Sequence, residues 1–219
     1  LLVASHWILF FASIKESTVS IALVMVATTP MFVGLIEPIV FKRKLDWKEI
    51  FVSAIVIVGI STIFKISGEY YLGMILGLAS ALLAGLFATF NGVLVKTYDA
   101  SNISMIELLS ASLGITLLLA CTGGINSDLF ILSSSDWLWI SILAVVATSF
   151  AFIASTSVMK VLTPFTTAIA INLEPVYAII LAVVFFGDEE VMGVEFYLGA
   201  SLIIGAVIIN TLIKREKAR

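Results

Sequence analysis

Residues 168–190 read AIAINLEPVYAIILAVVFFGDEE. The run is apolar for long enough to cross a bilayer, which takes about 20 such residues in a helix. Near its middle, however, it holds Asn172 and the pair Glu174-Pro175. A carboxylate at that depth costs about 3 kcal/mol on insertion scales and by default marks a pathway or a binding site. Proline removes a backbone donor and clashes with the carbonyl four residues back, which exposes polar backbone that lipid cannot satisfy. A chain that keeps both must surround them with protein or water.

Composition fits such a surround. Of the 219 residues, 61% are hydrophobic and 12% charged, with mean hydropathy +1.17, whereas soluble domains are about a quarter charged. One globule cannot hide that much apolar surface, so lipid must face much of it and the protein is read as integral to a membrane. A net charge of −3 offers no basic patch for nucleic acid. The single Cys121 excludes an intrachain disulfide and is expected as a buried structural thiol.

Hydropathy and breakers divide the chain into segments. A partial apolar helix covers Leu1–Ile14 and holds His6. Full spans follow at Thr18–Phe41, Ile50–Ile66, Tyr71–Lys96, Ile103–Thr122, Asp136–Lys160, Pro164–Phe186 and Val194–Ile213. The abrupt apolar start has neither a charged n-region nor a cleavage site, so it reads as a helix entered partway and the chain as a fragment. Alternating the gaps puts Lys42, Arg43, Lys44, Lys48, Lys96, Lys160, Lys214, Arg215, Lys217 and Arg219 on one side. The other side receives only Lys15 and Lys65, with eight acids that include Asp136, Asp188 and Glu195. By the positive-inside rule the C-terminus is cytoplasmic.

An internal repeat is visible as well. With Pro30 set against Pro175, Phe32 falls opposite Tyr177 and Phe41 opposite Phe186, and each copy ends in a span with a late glycine, Gly59 or Gly205. The first copy exits on the cytoplasmic side and the second on the outside, so the topology is inverted. Inverted repeats are a mark of secondary transporters, whose sites lie near the midplane between the halves.

Pro30, Phe41 and a charged turn, repeated as Pro175, Phe186-Gly187-Asp188 and Gly199 to Gly205, resemble the EamA domain of the drug/metabolite transporter superfamily. The resemblance covers essentially the whole chain. It implies an all-α integral membrane protein, a multi-span helical bundle of inverted repeats with ten helices in the full-length protein and about eight here. Residues 1–66 would be the C-terminal part of the first repeat and 67–219 the second repeat of five helices. It further implies export of small metabolites, a bacterial-type inner membrane and no cofactor. The first turn departs from the pattern, reading Phe41-Lys42-Arg43-Lys44 where members often place a glutamate.

Each candidate residue has two readings. Glu174 is a proton carrier or counter-charge for an amine-bearing substrate, or a protonated acid bonded to Asn172 or a freed carbonyl. Thr28 and Thr29 rescue the backbone that Pro30 frees, and Thr29 also becomes a pore-lining candidate. His6 suits proton exchange or packing, and Asn91 suits substrate contact or helix glue. Glu37, before Pro38, suits an interfacial or helix-packing role. Pro30 and Pro175 are the expected helix breaks and hinges. Gly73, Gly77, Ala81 and Gly85 recur every four residues and form a packing seam, inside one chain or in a homodimer. Phe87, Phe90, Phe150 and Phe152 suit a cavity floor, lipid contact or core.

No G-x-S-x-G elbow, P-loop or H-E-x-x-H site occurs, and one His with one Cys builds no His- or Cys-rich metal centre. The expected function is therefore secondary transport of a small molecule by alternating access, not enzymology. A non-transporting membrane scaffold is the competing expectation.

Overall fold

The first proline-bearing span is divided in the computed structural model, which describes residues 1–45, 47–66, 70–126, 131–171, 174–187 and 192–217. The chain forms α1 (Leu2–Glu16), α2 (Val19–Val26), α3 (Thr29–Val40), α4 (Trp47–Ile66), α5 (Tyr71–Leu94) and α6 (Ala100–Cys121). It continues with α7 (Ser134–Ile142), a π-helical stretch (Leu143–Phe150), α8 (Ala151–Val158), α9 (Pro164–Ile171), α10 (Glu174–Phe186) and α11 (Val194–Lys217). Among the described residues there is no strand. Val19–Val40, Tyr71–Leu94, Ala100–Cys121 and Ser134–Val158 are each long and apolar enough to cross a membrane, while Tyr177–Phe186 and Val194–Ala206 are shorter apolar helices.

The span expected as Thr18–Phe41 is two half-helices because Pro30 has no N–H to give the Val26 carbonyl. The Thr29 hydroxyl donates to that oxygen instead at 2.7 Å, and Thr28 Oγ1 donates to Met25 O at 2.6 Å. In the second such span α9 ends at Ile171 and α10 begins at Glu174. Pro30 is thus the second residue of its half-helix, after Thr29. The expected span Asp136–Lys160 is also not uniform. Ser133 and Asp136 cap its start reciprocally, and its middle is π-helical, with Ser149 Oγ donating to Ala144 O five residues back at 2.8 Å.

The Gly73–Gly85 stripe is buried inside the chain and is no homodimer surface. A Cβ on Gly73 would lie 2.5 Å from Ser17 Cβ, on Gly77 2.6 Å from Met25 Cβ, and on Gly85 3.0 Å from Phe32 Cβ. α5 therefore packs on α1, α2 and α3 at a distance only small residues permit. Buried hydroxyls add fixed points: Ser13 Oγ donates to Gly73 O at 2.7 Å, one heptad from the contact of His6 with Ser80. α4 and α11 meet in the same manner, since a Cβ on Gly59 or Gly199 would lie 2.9 Å from the other's carbonyl oxygen. Outward faces carry Leu109, Leu113, Val145, Val184 and Phe185, all exposed, as a lipid-facing surface requires. Cys121 is exposed too and is no core thiol, because it ends α6 on such a face.

Candidate functional site

Between these helices lies a cavity of about 780 Å³. His6, Thr29, Asn91 and Glu174 all line it, each delivered by a different local device. Thr29 arrives through the α2–α3 break and Glu174 as the first residue of α10. Asn172 lies outside the described residues, and Pro175 contributes backbone only to the description.

His6 is held by the seam between α1 and α5. Its Nδ1 lies 3.0 Å from the Ser80 carbonyl oxygen and 2.8 Å from Ser80 Oγ, while Ser80 Oγ donates to His6 O at 2.9 Å. A carbonyl only accepts, so the proton sits on Nδ1 and Nε2 is the free ring atom. The ring stacks near Phe10 at 6.4 Å and meets Phe87 edge-on at 5.6 Å, and Phe87 in turn stacks on Phe152 at 5.8 Å. Phe10, Phe87 and Phe152 line the cavity. Phe90 and Phe150 do not, being 45% and 68% exposed on the outer surface.

Asn91 is 2% exposed. Its Nδ2 donates to Glu107 Oε2 at 2.9 Å, and its Oδ1 is buried without a hydrogen bond. Glu107 is the polar partner that sequence reasoning missed. It is a lone carboxylate inside the apolar span α6, the same signal that singled out Glu174. The π-helical stretch was missed as well, and it supplies Thr148 and Ser149 to the wall. π-Helical turns are frequent at functional sites because they re-aim side chains within a helix.

One end of the bundle is bridged by polar contacts between distant segments. Glu37, expected in an interfacial or helix-packing role, is 4% exposed. Its Oε1 pairs with Arg43 Nε at 3.2 Å, and its Oε2 accepts the Phe165 N–H at 2.9 Å. The chain turns back after α3 through Lys42 at φ 52° and a bond from Arg43 N to Pro38 O of 2.9 Å, which brings the guanidinium beside Glu37. Glu37 thereby caps the N-terminus of α9, where the helix dipole favours an anion. Nearby, Lys96 Nζ donates to Met159 O at 2.9 Å and Lys160 O at 3.0 Å. A Cβ on Gly92 would overlap Pro164.

Chemically, the site offers a carboxylate and several acceptors in an aromatic chamber, with no group of three or more metal-ligating side chains among the described residues. The sequence profile of the EamA-like transporter family matches residues 1–65 and 71–212. An uncharacterised transporter of Bacillus subtilis (strain 168), YxxF, is 27% identical over 218 residues, spanning 96% of this chain and 67% of the relative. A protein of known crystal structure superposes with a TM-score of 0.68 at 15% identity, over 96% of this chain and 72% of that one. At that identity the likeness concerns the fold alone.

Proposed function

The chain belongs to the EamA-like transporter family, and from that membership we propose that it is a secondary transporter carrying small metabolites outward by alternating access. It is a multi-pass membrane protein and a transporter, not an enzyme. The observation that carries the finer proposal is the convergence of His6, Thr29, Asn91 and Glu174, from four helices, on one cavity. Thr29 enters it at the proline-marked break between α2 and α3, the kind of interrupted helix by which transporters place backbone and side-chain ligands near the midplane. A scaffold would account for Ser13 and Ser80 as helix glue but has no use for the chamber.

In this proposal residues 1–66 and 67–219 are the two repeats that enclose the cavity, in a bacterial-type inner membrane with the C-terminus cytoplasmic. The end bearing Glu37, Arg43, Lys96 and Lys160 is then the cytoplasmic end. Its bridges, Glu37 to Phe165 and Lys96 to Met159 and Lys160, hold that end shut and must part when the cavity opens inward. Hydrogen bonds to charged groups contribute about 1.5–3 kcal/mol each, which is breakable on the timescale of transport. Glu174 is the charged group of the path.

Reconstituted in proteoliposomes, Glu174→Gln should lose gradient-driven flux while its thermal unfolding in detergent stays at the wild-type value. Wild-type flux from that variant would remove Glu174 from the mechanism.

A further inference from the structure

We infer that the cavity's cargo is an organic ammonium ion, an amine bearing N–H donors on an apolar body. This rests on the transport reading above and names its substrate class. The wall is one-sided in hydrogen bonding and in charge. Among the described residues it holds the carboxylate of Glu174 and no lysine or arginine.

Its neutral groups are turned the same way. Asn91 Nδ2 is committed to Glu107 Oε2 at 2.9 Å, a donor–acceptor pair that sets the amide with its oxygen on the other side. The atom left over is Oδ1, an acceptor buried with no hydrogen bond among the described residues. Glu107 acts here as a positioning residue, through Asn91. His6 is fixed likewise: its proton is committed to Ser80 through Nδ1, and Nε2 presents a lone pair.

Even the hydroxyls follow. Thr29 Oγ1 donates to Val26 O and Ser149 Oγ to Ala144 O, so both offer only lone pairs inward. Against these acceptors stand the Trp7 indole N–H, the one side-chain group in the described wall that can only donate, and hydroxyls such as Thr148 that rotate to suit either role. An anion entering would give up its hydration and find no cation. An ammonium ion would find a counter-charge, fixed lone pairs and the faces of Phe10, Phe87 and Phe152, whose quadrupoles attract cations.

The test is equilibrium binding by calorimetry on the whole chain in detergent, with four probes on one phenethyl frame: an ammonium, its trimethyl analogue, a carboxylate and an alcohol. Phenethylammonium should bind. Its trimethyl analogue, which lacks N–H donors, should bind more weakly, and 3-phenylpropanoate should not bind. Asn91→Leu should weaken phenethylammonium by roughly tenfold or more, the loss expected for one hydrogen bond to a charged donor. Glu107→Gln keeps the volume but offers a donor of its own, which lets the Asn91 amide turn. It should therefore narrow the preference for the ammonium probe over phenethyl alcohol, whereas a merely structural role would weaken both equally. If Asn91→Leu does not fold, the Glu107→Gln ratio decides.

Phenylpropanoate binding as tightly as the amine, absence of amine binding, or an unchanged ratio in Glu107→Gln would each overturn the inference. Flux assays separate it from the transport reading. Movement of neutral or anionic solutes without ammonium binding would sink the substrate class and keep the transporter. Ammonium binding with no flux of any solute would do the reverse.

Discussion

The two walls of the cavity are packed to different standards. On one side α5 buries Gly73, Met74, Gly77, Ser80, Ala81 and Ala84 against α1, α2 and α3, with backbones close enough that no Cβ fits at Gly77. Across the chamber neither α7 nor the π-helical stretch buries any residue, and α8 buries only Thr156. A wall of interlocked small residues resists displacement because every shift meets a close-packed neighbour. A wall with few close-packed neighbours among the described residues can move at lower cost. The first holds His6 in a fixed orientation, and under the proposed alternating access the second is the mobile partner.

Substitutions can break this contrast. The largest effect is expected at Gly77→Val, whose added carbon would sit 2.6 Å from Met25 Cβ. Overpacking of that kind costs about 3 kcal/mol, to be read as a drop in unfolding temperature in detergent. Val145→Ala in the π-helical stretch, 64% exposed, should change stability by less than about 0.5 kcal/mol. Equal losses from the two would erase the distinction between the walls.

The bridged end comes next. Glu37→Ala removes an acceptor from the Phe165 N–H and one of the partners of Arg43, at a cost of about 2–3 kcal/mol. Hydrogen exchange should accelerate at Phe165 and its neighbours in α9 while the amides of α5 stay protected. Protection unchanged at Phe165 would show that Glu37 does not hold that end shut.

Smaller again is Thr29→Val. It leaves the Val26 carbonyl with neither the proline N–H nor the hydroxyl, and about 1–2 kcal/mol should be lost. Thr29→Ser, which keeps the donor, should recover most of it. Failure of serine to do so would mean that the methyl group, not the hydrogen bond, stabilises the break.

Much of this architecture could be read from residues. Hydropathy located the spans, and proline's missing N–H located the α2–α3 break and the pair of threonines that repairs it. What stayed illegible depends on partners far away in the chain. Glu37 finds the Phe165 amide 128 positions on, and no local pattern announces that a capping group for α9 lies in α3. Glu107 stood in plain view as a single acid in an apolar helix, yet its meaning comes from Asn91 on the neighbouring helix. The π-helical stretch leaves no trace in hydropathy, because Ser134–Val158 reads as one continuous apolar span. The same uniformity hid which phenylalanines face inward: Phe87 and Phe152 do, Phe90 and Phe150 do not.

The central claim is that the chamber between the two walls is the path of the transported solute. It is tested most directly by a single cysteine at Thr148, which lines the cavity from the π-helical stretch, in a chain whose exposed native thiol has been removed by Cys121→Ser. Flux into proteoliposomes is measured before and after reaction with a bulky thiol reagent, with and without excess solute. The account predicts active transport before modification, its loss afterwards, and protection of the thiol by the solute. Full flux through the fully modified chain would contradict it.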